Sequence, residues 1–139
     1  MNPQELRRRV ERARVARLAT VRPDDTPHLV PVCFAVDGDE IVSAVDAKPK
    51  TTTRLARLDN IGAHPSVALI VDHYDDDDWS ALWWVRVDGR AEVLTDGVDR
   101  DRALTLLVDK YAQYRERTPP GPVIVMRAER WTGWSARFD

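Results

Sequence analysis

Leu18-Ala19-Thr20-Val21-Arg22-Pro23-Asp24-Asp25-Thr26-Pro27-His28-Leu29-Val30-Pro31-Val32-Cys33-Phe34 is the stretch that decides the fold. It joins two runs rich in β-branched and apolar residues, 15–21 and 28–36, through a cluster of proline, aspartate and threonine. Two such runs around a polar turn read as an antiparallel hairpin. Proline has no N–H to give a ladder, so Pro31 predicts an edge position or a bulge in the second strand. Asp37-Gly38-Asp39 is the next hairpin turn, and residues 40–45 form the third strand.

The same pattern continues outward from this hairpin. Residues 67–73 and 82–94 read as strands, the longer one placing Trp83, Val85, Val87, Gly89, Ala91 and Val93 on one side. Residues 123–128 and 131–138 supply the last strands. Asn2 followed by Pro3 is a helix-start signal for residues 4–14, where Leu6, Val10 and Ala13 share a face. Thr52 or Thr53 could cap a short helix running through Ile61 and ended by His64-Pro65. Residues 98–116 read as an amphipathic helix with Leu104, Leu107, Val108 and Tyr111 inward, stopped by Pro119-Pro120-Gly121-Pro122. Six or seven strands in hairpin order, without βαβ alternation, exclude a doubly wound parallel sheet. They predict a mainly β (α+β) chain, an antiparallel closed or partly closed barrel with peripheral helices, as one domain over residues 1–139.

Composition narrows the function. With 139 residues, 43% of them hydrophobic and 32% charged, the chain can bury a core. A formal charge of −2 gives no overall pull toward nucleic acid or an anionic membrane. The arginines at 7, 8, 9, 12 and 14 read as a solvated helix face rather than a nucleic-acid arm. Cys33 is the single cysteine, which suits a reducing compartment, and no apolar run has membrane-spanning length. The expectation is a cytoplasmic protein. No glycine-rich dinucleotide turn, P-loop, C-x-x-C or H-E-x-x-H occurs. His73 beside Asp72 and Asp75 reads as a strand end next to a solvated acidic loop, not as a metal site, and Cys33 as an inert thiol in an apolar strand.

One segment reads equally as a phosphate-binding loop or as an ordinary solvated loop. After the third strand ends in Ser43-Ala44-Val45, Lys48, Lys50, Thr51, Thr52 and Thr53 precede a helix start. Ammonium groups, hydroxyls and unpaired helix N–H groups together suit a phosphate. Two of the chain's three lysines fall here, in a protein that otherwise uses arginine.

The opening hairpin, with Lys48-Pro49-Lys50-Thr51, the run 60–69 and the closing Arg130-Trp131-Thr132-Gly133-Trp134-Ser135, resembles the pyridoxamine-phosphate-oxidase-like split β-barrels. Within them it looks most like the actinobacterial branch of F420-dependent enzymes. The resemblance spans nearly the whole chain. It implies a homodimer with two cofactor sites at the interface. The ring system would meet backbone groups near Pro31, Val32 and Cys33. Ser43 matches the family's serine, Lys48 and Lys50 its phosphate-holding basic pair, and Thr51 adds a hydroxyl. By position, Trp134 would help close the site. The implied activity is hydride transfer between F420 and a small organic substrate, with FMN binding, or a non-catalytic flavin carrier or sensor, as alternatives. No residue in the matched strands is an obvious proton donor, so no general acid is assigned; His28 is a candidate only. Two departures stand out: Asp25 occupies the usual turn glycine, and Lys48 a position that is often arginine.

Overall fold

The computed structural model describes residues 1–45 and 56–137. Among the described residues, seven antiparallel strands form one sheet: β1 (Ala16–Val21), β2 (Pro27–Val32), β3 (Ala35–Asp37), β4 (Glu40–Ala44), β5 (Ser66–His73), β6 (Trp83–Leu94) and β7 (Val123–Ser135). The helices are α1 (Pro3–Arg12), α2 (Ala56–Ala63), α3 (Val98–Lys110) and α4 (Ala112–Glu116). The spatial order is β2-β1-β5-β6-β7-β4-β3.

That order accounts for the barrel. β2 and β3 lie at opposite edges of the sheet, yet only Cys33 and Phe34 separate them in sequence. The sheet must therefore curl until its edges nearly meet, and the chain itself bridges the seam. Val32, Leu18, Leu69, Val85, Val87, Met126 and Ile41 consequently bury their side chains in a single core. The expected strand over 28–36 is thus two strands, and the reason is local. Phe34 and Ala35 are both buried, but Phe34 joins the barrel core while Ala35 joins a second cluster under α3. Adjacent residues of one regular strand point to opposite faces; here both faces are covered, so alternation alone does not reveal the change of partner.

The first turn uses Asp25 with φ of 69°, the only non-glycine residue in the left-handed region among the described residues. Asp24 prepares it by accepting hydrogen bonds from the Thr26 amide (3.1 Å) and hydroxyl (2.6 Å). The same hydroxyl is the main reason the Asp24 carboxyl sits below its usual pKa.

Two further expectations change. The last strand runs unbroken from Val123 to Ser135, with Glu129 as an extra residue in a bulge where Asp88 pairs with Arg130 and Gly89 with Ala128. A bulge absorbs the residue that sequence reading takes for a break. Gly89 is required beside it, because a Cβ there would lie 2.1 Å from the Arg127 carbonyl oxygen. The long helix is interrupted at Tyr111, which is extended (φ −116°, ψ 116°). Helix α1 behaves as its sequence predicts: Asn2 caps the Glu5 amide at 2.9 Å, and Leu6 and Val10 are buried. The capping position expected at Thr52 or Thr53 lies outside the described residues.

Candidate cofactor site at the outer sheet face

Cross-strand register defines the outward face of the sheet. One row runs Leu29, Ala19, Ala68, Asp88, Arg130; the next runs Pro31, Arg17, Ile70, Arg86, Thr132. Beyond them, Asp72, Trp84 and Trp134 lie side by side. An antiparallel sheet with one wet face normally shows polar residues there. This one shows Leu29 at 64% exposure and Trp134 at 47%. A shallow, largely apolar cavity of about 280 Å3 opens on the same face, lined by Ile70, Asp72, His73, Tyr74, Trp84 and Trp134.

The residues singled out in the sequence divide over this frame. Pro31 is exposed on the outer face of β2, Val32 points into the core, and Cys33 is a half-buried free thiol in the seam. Ser43 is buried on the barrel side of β4, which it shares with Ile41. Its hydroxyl has no hydrogen-bond partner among the described residues. A buried polar atom left unpaired is costly and calls for an explanation. Lys48, Lys50 and Thr51 lie outside the described residues. Trp134 shares the outer face with Pro31 but stands four strands away, roughly 20 Å along the sheet at about 4.8 Å per strand. One protomer therefore does not bring Trp134 to Pro31; two such faces packed together could. His28 faces the barrel interior, opposite Thr20, whose hydroxyl accepts a hydrogen bond from Asn60 at 3.0 Å. It is on the other side of β2 from Pro31.

The seam is held from outside by α3. The Tyr111 hydroxyl accepts the Phe34 amide at 3.1 Å and lies 2.9 Å from the Arg14 carbonyl and 3.0 Å from that of Phe34. Its single proton satisfies one of these carbonyls at a time. Burial raises the Tyr111 pKa, an effect partly opposed by the Phe34 hydrogen bond. Lys110 donates to the Ala13 carbonyl at 2.8 Å and sits 3.9 Å from the centre of the Phe34 ring. Burial first, and the Arg14 guanidinium second, lower its pKa to about 8. Neither the tyrosine nor the lysine is among the residues that the sequence marks as a site; both reach the seam from the C-terminal end of α3.

The tryptophans split likewise. Trp83 is half-buried, with the Arg9 guanidinium 4.9 Å from its ring centre and His73 stacked at 6.4 Å, whereas Trp79 is exposed. Among the described residues no group of three or more histidine, cysteine or acidic side chains could hold a metal ion. No helix among them is long and apolar enough to cross a membrane.

Comparison with known proteins agrees with this architecture. No curated protein matches the chain in sequence. Among solved structures it is similar to the conserved hypothetical protein Rv2991 from Mycobacterium tuberculosis, with a TM-score of 0.78 and 23% identity over 99% of this chain and 86% of that one. It is also similar to an FAD-binding protein from Mesorhizobium loti (TM-score 0.72, 22% identity, 96% of this chain and 94% of that one). A third similar structure is HutZ, the heme storage protein of Vibrio cholerae (TM-score 0.74, 11% identity, 96% and 93%). At these identities the likeness is one of fold. The family is fixed by sequence: the model for pyridoxamine 5'-phosphate oxidase matches residues 3–135, so the chain belongs to the pyridoxamine 5'-phosphate oxidase family.

Proposed function

We propose that this protein is a homodimeric oxidoreductase that binds F420 and passes a hydride between it and a small organic substrate. The observation that carries the reading is the orphaned Ser43 hydroxyl. It is buried near the end of β4, five residues before Lys48 and the Lys50-Thr51 pair that follows it. A serine hydroxyl, two ammonium groups and a threonine suit the phosphate of a flavin or deazaflavin. The backbone around Pro31, Val32 and Cys33 would align the ring. The partner's outer face would bring Trp134 over it, because within one protomer that tryptophan is too far away. The cofactor supplies the hydride chemistry; the protein supplies placement and exclusion of water.

Family membership and the FAD-binding relative support a flavin-type cofactor, with FMN as the alternative to F420. The heme storage relative supports a further reading, a binding protein without turnover. We place the protein in the cytoplasm, as one domain. The deciding experiment is titration with F420 and, separately, FMN, followed by tryptophan fluorescence. Micromolar F420 binding, weakened in Lys50→Ala by about 1.5–3 kcal/mol, the scale of a charged hydrogen bond, is expected. Preference for FMN moves the protein to the flavin branch, and Lys50→Ala with unchanged affinity removes the phosphate assignment.

A further inference from the structure

A second recess adjoins the outer-face cavity, sharing Asp72, His73 and Trp83 with it. Helix α1 and the start of β1 enclose a groove of about 520 Å3 against Asp72, His73 and Trp83. Arg8, Arg9, Arg12, Arg14 and Arg17 line it, and among the described residues two carboxylates, Glu5 and Asp72, accompany them. A chain with a formal charge of −2 thus gathers three surplus positive charges in one place.

Two of these arginines have structural work. Arg9 pairs with Glu5 at 3.1 Å and lies over Trp83, while Arg14 donates to the Lys110 carbonyl and lies over Tyr111. Arg8, Arg12 and Arg17 are exposed and have no hydrogen bond or ion pair among the described residues. Arg8 and Arg12 stand one turn apart on α1, where like charges destabilise a helix. The helix dipole favours Arg12, in the last turn. It accounts for neither Arg8 nor Arg17, which comes from β1. Arg9 lies over the Trp83 ring and His73 stacks beside it.

We propose that this groove binds a small polyanion, a substrate or effector carrying two or more phosphate or carboxylate groups, distinct from the cofactor. Within a protomer it lies at the Trp83 end of β6, whereas Ser43 pairs with Ile124 and so lies beside Val93. Ten residues of strand, roughly 30 Å at about 3.3 Å each, separate the groove from the Ser43 end of the cofactor site, whereas Arg17 pairs with Pro31 and so borders its ring end. Two free guanidiniums spaced by one helical turn fit linked anionic groups better than a single one.

The test is calorimetric titration of the full chain at constant ionic strength with inorganic pyrophosphate and, separately, orthophosphate. Pyrophosphate should bind about tenfold or more tightly than orthophosphate. The double variant Arg8→Gln/Arg12→Gln should weaken it by at least about tenfold, the loss expected of charged hydrogen bonds. Because both side chains are exposed and glutamine suits a helix, the variant should melt no lower than the parent without ligand. Absence of pyrophosphate binding, equal binding by the variant, or binding of a short DNA duplex in place of pyrophosphate overturns the proposal. Displacement of pyrophosphate by saturating F420 or FMN overturns the separate ligand. The titration needs no bound cofactor, so it stands whichever way the cofactor measurement falls.

Discussion

At the scale of single residues, Asp25 and Lys110 each hold a position that their chemistry resists. Asp25 adopts φ of 69° where glycine would meet no side-chain penalty. Its carboxylate is 3.6 Å from His64 but largely exposed, so that contact offsets little of the penalty. Asp25→Gly should therefore stabilise the protein by about 0.5–1 kcal/mol, read as a higher midpoint in urea with unchanged slope. Lys110 gives a dependence on pH. Its folded-state pKa of about 8 lies below the usual 10.5, so between these values the unfolded chain binds more protons than the folded one. Stability from this group must rise as pH increases from about 8 to 10. Tyr111, whose pKa is raised, acts in the opposite sense and only above its usual value of 10. The difference in unfolding midpoint between the parent and Lys110→Met should change across pH 8–10; a constant difference would mean the ammonium is not disfavoured by folding.

At the scale of elements, the hairpin of β1 and β2, the long β6 and helix α1 were legible because each shows one clean period. Val85, Val87, Gly89 and Ala91 are all buried on the side the alternation assigns them. What escaped were changes of partner. The β2–β3 seam keeps an apolar pattern across two different cores, and Glu129 disturbs the phase of β7 without ending it. Tyr111 is extended, yet its amide still bonds the Leu107 carbonyl at 2.9 Å, so the helical spacing persists past the break. The bulge makes a sharp prediction. Gly89→Ala sets a methyl against the Arg127 backbone, which cannot rotate away, and should cost about 3 kcal/mol or more. Melting of that variant within a degree of the parent would show that the two strands can separate at the bulge.

At the scale of the whole molecule, the family resemblance implied Pro31, Ser43 and Trp134 as one site, but could not say that they face different ways. Pro31 and Trp134 look outward and Ser43 inward, a distinction set by the sheet's register and not by any motif. The arginine groove was equally hidden, since Arg17 joins α1 only when β1 folds beneath it. The exposed apolar face gives the last prediction. Leu29→Lys/Trp134→Lys should turn the proposed dimer into a folded monomer by sedimentation, because both side chains are exposed in the protomer; a monomeric parent would remove the proposed dimer, and a dimer that survives in the variant would place the contact elsewhere. The seam has its own consequence. A cylinder closed wholly by backbone hydrogen bonds has no preferred place to open, but this one is fastened by two residues of chain and a tyrosine clasp. Cutting the backbone between Val32 and Ala35 would leave the ladder intact and still convert a ring into a ribbon. This is therefore the worst place to put new termini in a circular permutant, although it lies in a loop.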